Sequence, residues 1–255
     1  MEPKPISVQL YSVREAMQAD APGTLKRIAG FGYAGVEPAG FYGYTPKDFR
    51  ALVADLGMTI SSAHGVTPFN MSMQEAIDTA GILGINILCG GYGPAEFATL
   101  DKIKETAEQV NGVIEPLAAA GLSLMLHNHY WEFAEVEGRL AYDWFAELCP
   151  RVQFELDTYW ASNFGANNVA EQVAKFKHRI PYLHIKDGPL TKDQPMTAVG
   201  KGKMDFPTVI AAADPQVLRW LVVELDACAT DMMEAVADSY TYLVSHKLAS
   251  GTRAV

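Results

Sequence analysis

A single (β/α)8 TIM-type barrel is the fold class this sequence predicts, on three observations. The chain has 255 residues, close to the roughly 250 of one such barrel. Short β-like apolar runs alternate with longer helical runs, which argues for a parallel sheet. No linker or composition shift interrupts the alternation, so residues 1–255 read as one barrel domain. Apolar residues make up 49% and charged residues 20%, enough for a large core and ordinary for a globular protein. A doubly wound open sheet is the alternative; the first βα turn lacks the G-x-G-x-x-G that would favour it.

In order along the chain, Ile6–Leu10 reads as the first strand, and Pro22-Gly23 opens a helix over Thr24–Ala29. Gly35–Glu37 is the second strand. Thr45 as N-cap and Pro46 at the first helical position start a helix that Gly57 stops. Thr59–Ala63 is the third strand, Met73–Leu83 a helix ended by Gly84, and Ile85–Cys89 the fourth strand. A long helix spans Thr99 to Ala120, with Pro116 inside it as an expected kink and Gly121 as its stop. Leu122–Leu126, Val152–Leu156, Tyr182–Ile185 and Trp220–Val223 are the last four strands. Helices over Leu140–Leu148, Val169–His178, Phe206–Ala213 and Asp231–Ser245 separate and follow them, and Leu248–Val255 reads as frayed.

The net charge is −10. A nucleic-acid partner calls for a basic stripe, and the basic clusters, Lys175 to Arg179 and Lys201-Gly202-Lys203, are short. The three cysteines, Cys89, Cys149 and Cys228, are odd in number and show no C-x-x-C spacing. They read as reduced thiols of a cytoplasmic protein. The N-terminal residues show no 7–15-residue apolar run of a signal peptide, and no stretch approaches the ~20 apolar residues of a membrane span. Neither nucleic acid nor membrane is expected as a partner; self-association is left open.

In a barrel of this class, function gathers at the C-terminal strand ends. Those ends carry Gln9 and Tyr11, Glu37, His64, Cys89-Gly90-Gly91, His127-Asn128-His129 with Glu132, Asp157, His184-Ile185-Lys186-Asp187 and Glu224-Leu225-Asp226. Each residue alone has an ordinary structural role, as a hydrogen-bonded histidine or a capping carboxylate. Together they put carboxylates and imidazoles from several strands on one rim, and buried charges converge only where something compensates them. A divalent cation does so directly. Oxygen-rich ligands with imidazole favour Mn²⁺, with Mg²⁺, Co²⁺ or Zn²⁺ as alternatives. Glu155, two residues before Asp157, shares its face and needs a partner one layer down. Tyr159, Trp160 and Trp131 are rim aromatics suited either to packing or to stacking on a sugar.

These segments resemble the sugar phosphate isomerase/epimerase family of xylose-isomerase-like barrels, in a subgroup with an H-N-H-x-x-E-F pattern. The resemblance runs nearly the length of the chain. Its carriers are Val8 to Arg14, Gly32 to Glu37, Ser62-Ala63-His64, His127 to Phe133, Leu156 to Trp160, His184 to Asp187 and Val223 to Asp226. It implies a divalent metal held by strands 5 to 8, with Asp157, His184 and Glu224 in three positions. The strand-5 ligand is Glu132 or His127, with Glu132 favoured. The loop Val199 to Phe206 departs from the pattern by carrying Lys201 and Lys203 where acidic residues are usual. This either changes only the surface or brings positive charge toward substrate.

The implied chemistry is proton transfer α to the carbonyl of a sugar or keto-sugar through a metal-bound enediolate. Glu132, Glu224 and His127 are the candidate proton-moving groups, and Glu37, His64, His129, Lys186 and Trp160 the candidate substrate contacts. Returning the proton gives isomerisation or epimerisation; losing a β-substituent gives a lyase acting on a 3-keto-glycoside or cyclitol. A non-catalytic sugar-binding barrel is the reading from another class. A multi-zinc endonuclease needs more histidines and a basic surface. Gly90-Gly91-Tyr92-Gly93 does not open a helix in the way a phosphate cradle would.

Overall fold

Eight parallel strands curl into a barrel in the computed structural model, which describes residues 2–255. They are β1 Lys4–Gln9, β2 Gly35–Glu37, β3 Thr59–Ile60, β4 Ile87–Gly91, β5 Ser123–His127, β6 Gln153–Asp157, β7 Tyr182–Ile185 and β8 Trp220–Val223. The hydrogen-bonded order is β3-β2-β1-β8-β7-β6-β5-β4. The two ends of that path meet at a parallel bridge between His64 and Cys89, where the Gly65 N–H donates to the Cys89 carbonyl at 3.1 Å. The fold is therefore the expected (β/α)8 class.

Local chemistry explains where the helices begin and end. The Thr45 hydroxyl accepts from the Asp48 N–H to open Pro46–Asp55, and Ser72 forms a capping box with Glu75 to open Met73–Leu83. That second helix stops at Gly84, in the left-handed region at φ 77°. Leu100–Ala119 runs through Pro116 and ends within a turn of it. β2, β7 and β8 have the bounds read from the sequence, whereas β4 begins two residues later than expected, at Ile87.

Two expectations are corrected. An extra helix, Arg14–Ala19, occupies the first βα loop; with so few apolar residues it carries little periodic signal. The C-terminal residues are not frayed. Ala249–Ser250 pairs with the start of β1, with Lys4 opposite Ala249. The Thr252 N–H donates to the Gly32 carbonyl at 2.8 Å and the Tyr240 hydroxyl to the Arg253 carbonyl at 2.6 Å. A strand edge supplies the partners that local sequence lacks.

Side chains alternate across the sheet, and the alternation builds two unlike interiors. Outward residues such as Val8, Val36, Leu126, Phe154, Leu156, Leu183 and Val223 join one large apolar cluster with the helices. The barrel lumen holds a small apolar plug of Ile87, Cys89, Met125, Tyr182 and Val222. Above that plug the inward positions are Gln9, Glu37, His127, Glu155, Asp157, His184, Lys186 and Glu224, all buried. No described helix is long and apolar enough to cross a membrane.

Candidate metal centre

Three adjacent strands place the core of the site. The β6–β7 register sets Asp157 opposite His184. Glu224 follows the end of β8, and its N–H donates to the Ile185 carbonyl at 3.2 Å. Asp157 also caps the short helix Thr158–Ala161: its Oδ1 accepts the Trp160 N–H at 2.8 Å, which leaves Oδ2 facing the rim. Asn128 locks β5 to β6, because its Oδ1 accepts the Asp157 N–H at 2.9 Å while its amide donates to the Asp157 carbonyl at 3.2 Å.

His184 lies between two sets of carboxylates. Its Nδ1 is 2.8 Å from Glu224 Oε2, and its Nε2 is 3.1 Å from both Glu37 Oε1 and Glu155 Oε2. His64 Nε2 reaches the same two lower carboxylates, at 2.6 Å from Glu155 and 3.1 Å from Glu37. Glu155 thus has the partners its buried position requires, and Cys89 Sγ donates to it at 3.1 Å. Glu37 is fully buried, accepts from Gln9 Nε2 at 2.6 Å and from the Ser62 hydroxyl, and lies below the rim.

His127, Asp157, His184 and Glu224 each offer one ligand atom, all within 4.8 Å of one another and all buried. A second group, His64, His127, Glu155 and His184, meets the same limit one layer lower. Two atoms of the upper group, Asp157 Oδ2 and His127 Nδ1, are buried without a hydrogen bond, although Lys186 Nζ lies 3.0 Å from the first and Glu155 Oε2 3.5 Å from the second. Mutually close, buried donors of N,O type are what a divalent cation requires. The carboxylates behind His184 are the outer partners that orient metal-ligating histidines. The donor set therefore fits a metal ion.

Charge balance points the same way. Glu37, Glu155, Asp157 and Glu224 are buried carboxylates. Lys186, fully buried, is the permanent cation among them, at 3.0 Å from Asp157 Oδ2, 2.9 Å from Glu224 Oε2 and 2.8 Å from Asp226 Oδ2. Burial opposes its charge, but those three carboxylates outweigh burial and hold its pKa well above the ordinary value. Burial likewise opposes the charge on His184, and Glu155 and Glu37 overcome it, so that pKa is held well up. Burial raises Asp157 to about 6, against the pull of Lys186 and His184. Glu224 resists burial because Lys186 and His184 hold it ionised, well below the usual range. His127 is pushed well down by burial and stays neutral.

Glu132 lies apart from both groups. Its Oε2 accepts the His129 N–H at 2.8 Å. It sits in a narrow space beside Tyr92, Phe97, Tyr142 and Phe154, and burial raises its pKa to about 8. The structure thus brings His127, rather than the favoured Glu132, to the other three; the i to i+3 bond to His129 holds the Glu132 carboxyl in the turn. Trp160 is also away from the ligands, lining a separate cleft of about 190 Å³ with Tyr130 and Phe164, though the Lys186 ammonium lies 5.4 Å from its ring centre.

The open space above the ligands is a cleft of about 340 Å³ lined by Gln9, Tyr11, His64, His127, His129, Glu224 and Asp226, among others. His129 stacks on Trp131 at 4.1 Å, and burial lowers its pKa to about 4, leaving it neutral. Sequence reasoning left Asp226 and Asp187 without roles. Asp226 follows Glu224 by two residues, and that inward spacing was the available signal. Asp187 accepts four backbone N–H groups, from Gly188, Gly200, Gly202 and Met204 at 2.8–3.1 Å. It folds the following loop around one carboxylate. In that loop Lys201 pairs with Asp238 on the surface, so the charge of Lys201 does not turn toward the cleft.

A parallel barrel with a buried His/Asp/Glu cluster at the C-terminal rim defines the class. The sequence profile of xylose isomerase-like TIM barrels matches residues 25–240, and the chain belongs to that family. Among solved structures it is similar to a sugar phosphate isomerase/epimerase from Parabacteroides distasonis, with a TM-score of 0.81, 26% identity, and 99% of this chain and 96% of that one covered. Two others share the fold. One is a D-psicose 3-epimerase, with a TM-score of 0.68 and 13% identity over 96% of this chain and 100% of that one. The other is a probable 3-DHS dehydratase from Bacillus anthracis, with a TM-score of 0.71 and 10% identity over 94% and 98%. No curated protein matches the chain in sequence.

Proposed function

We propose that this protein is a divalent-metal-dependent isomerase or epimerase of a sugar or keto-sugar, with His127, Asp157, His184 and Glu224 holding the ion. The observation that carries the reading is the convergence of those four donors beneath an open cleft. A bound divalent ion supplies Lewis-acid polarisation of the substrate's carbonyl. Mn²⁺ is the ion we favour.

The protein's own groups do the rest. Glu224, ionised beside Lys186 and His184, is the base that takes the proton α to the carbonyl. Its Oε2 is held by both neighbours, so its position is set before substrate arrives. Neutral His129 lines the cleft with His64, whose pKa Glu37 and Glu155 raise against burial, and both serve the substrate hydroxyls, with Gln9 beside them. Glu37 and Glu155 act through His184, fixing its ring rather than touching substrate. Glu132 positions the His127–His129 turn through the His129 N–H. Return of the proton by Glu224 to the neighbouring carbon gives isomerisation, and delivery by a second group to the original carbon from the opposite face gives epimerisation.

The test is metal content at equilibrium, by mass spectrometry of protein dialysed against Mn²⁺. The wild type is expected to hold one ion per chain, with Asp157→Ala and Glu224→Ala each losing at least tenfold in affinity. Full retention in both variants refutes the site. Release of water or an aglycone from a 3-keto-glycoside, without isomerised sugar, would assign elimination instead.

A further inference from the structure

The metal cleft has a larger neighbour that the proposed reaction leaves unused. It measures about 450 Å³ and is lined by Ser12, Arg14, Glu15, Asp226, Thr230 and Asp231, among others. The two clefts share Asp226, the residue that also grips Lys186 at 2.8 Å. A small partition divides them. Tyr11 lines the metal cleft, Arg14 lines the second, and the Arg14 guanidinium lies 4.3 Å from the centre of the Tyr11 ring. Arg14 is tied down on both sides, donating to the Tyr11 carbonyl at 2.9 Å and to the Asp226 carbonyl at 3.2 Å. Tyr11 stays 43% exposed, one of four large apolar residues so placed among the described residues. A braced, exposed aromatic at a polar boundary suits the apolar face of a sugar ring.

We infer that the substrate has two rings: a reacting sugar over the metal centre, and a second, uncharged ring seated in the 450 Å³ cleft against the Tyr11–Arg14 stack. This rests on the carbohydrate reading above and narrows its substrate class. Charge decides against a phosphate ester. The second cleft offers one guanidinium, already engaged, against the carboxylates of Glu15 and Asp231, with Asp226 already paired to Lys186. A phosphate there meets net repulsion, whereas hydroxyl groups find both donors and acceptors. The 190 Å³ aromatic cleft around Trp160 also touches Asp226. It is less than half the size and is the competing seat.

The experiment is calorimetric binding to Mn²⁺-loaded protein. The probes are glucose, glucose 6-phosphate, cellobiose, maltose and sucrose, each also as its 3-keto derivative where one forms. At least one disaccharide is expected to bind tenfold or more tighter than glucose and glucose 6-phosphate. Arg14→Met should reduce that preference at least fivefold without moving glucose binding, and Tyr11→Ala should weaken disaccharide binding at least fivefold more than glucose binding, with thermal unfolding checked to show that both variants fold. Equal binding of one-ring and two-ring sugars overturns the inference. So does tighter binding of glucose 6-phosphate, or a preference that survives both variants and falls with Trp160→Ala. Failure of every sugar to bind refutes the carbohydrate reading beneath it, a distinct outcome.

Discussion

The two interiors of this barrel are built from the same strands by opposite chemistry. Between sheet and helices, outward residues such as Phe154, Leu156, Leu183 and Val223 form an apolar cluster. Inside the lumen, their immediate neighbours Glu155, Asp157, His184 and Glu224 are just as buried and are nearly all ionisable. The outer interior is held by area removed from water. The inner one is held by mutual compensation, in which every carboxylate needs a cation and every imidazole a carboxylate. The contrast teaches that stability and function are separated here by a one-residue step along each strand.

Breaking the inner network should have the largest effect. Glu155→Leu strips the shared carboxylate from His64 and His184. It is expected to cost about 3–5 kcal/mol in chemical denaturation and to weaken Mn²⁺ binding at least tenfold through the misoriented His184. Its outer counterpart, Leu183→Ala, should lose about 2–5 kcal/mol to the cavity it leaves and keep the metal. If both variants lose metal alike, the two interiors are not separable.

Lys186→Met sharpens the same comparison. In metal-free protein it leaves Asp157 and Glu224 undercompensated and should destabilise the fold by about 3 kcal/mol. With Mn²⁺ saturating, the loss should narrow, and metal affinity should rise because a neighbouring positive charge is gone. A fall in affinity would show that Lys186 supports the ion instead of standing in for it.

Glu132 sits where the two interiors meet, and it supplies a pH test. Its folded pKa, about 8, lies above the ordinary carboxylate value of 4.5 because burial favours the neutral form. Its contribution to stability is complete below pH 4.5 and is lost as pH rises through 8. Glu132→Gln should therefore gain on the wild type between those limits, by at most ~1.4 kcal/mol per pH unit. Denaturation at pH 5 and pH 8 reads the difference, and a gap that does not widen places Glu132 in contact with a cation. The smallest effect belongs to the surface: Lys201→Ala, which removes only the exposed pair with Asp238, should leave unfolding temperature and sugar binding unchanged within error.

Much of this was legible in the sequence because period-two alternation and strand ends are local signals. Asp157, His184 and Glu224 stand at the ends of recognisable apolar runs, and Glu155 declares its face by sitting two residues before Asp157. What was not legible depends on the stagger between strands. His127 ends β5 and Glu132 lies in the turn beyond it, and only the cross-strand register decides which side chain turns toward Asp157. The same holds for the polar lumen. Strands that look uniformly apolar carry their few charges at the inward positions, and nothing local says that Glu37 and Glu155 share His184. The C-terminal pairing with β1 and the fourfold grip of Asp187 join residues far apart in the chain, and so carry no local signature.

The Asp187 clamp has a consequence for how this protein can be altered. The stretch from Gly188 to Met204 takes its shape from one buried carboxylate, and a side chain at Gly200 or Gly202 would collide with Tyr242 or Asp187. Those anchor points leave the exposed stretch Thr191 to Gln194, which lines the cleft beside Trp160, outside the clamp, with only Asp193 held to the left-handed region at φ 62°. A library randomised over Thr191, Lys192 and Gln194 would vary the cleft next to the reaction chamber while its scaffold stayed still, a natural handle for directed evolution of substrate range.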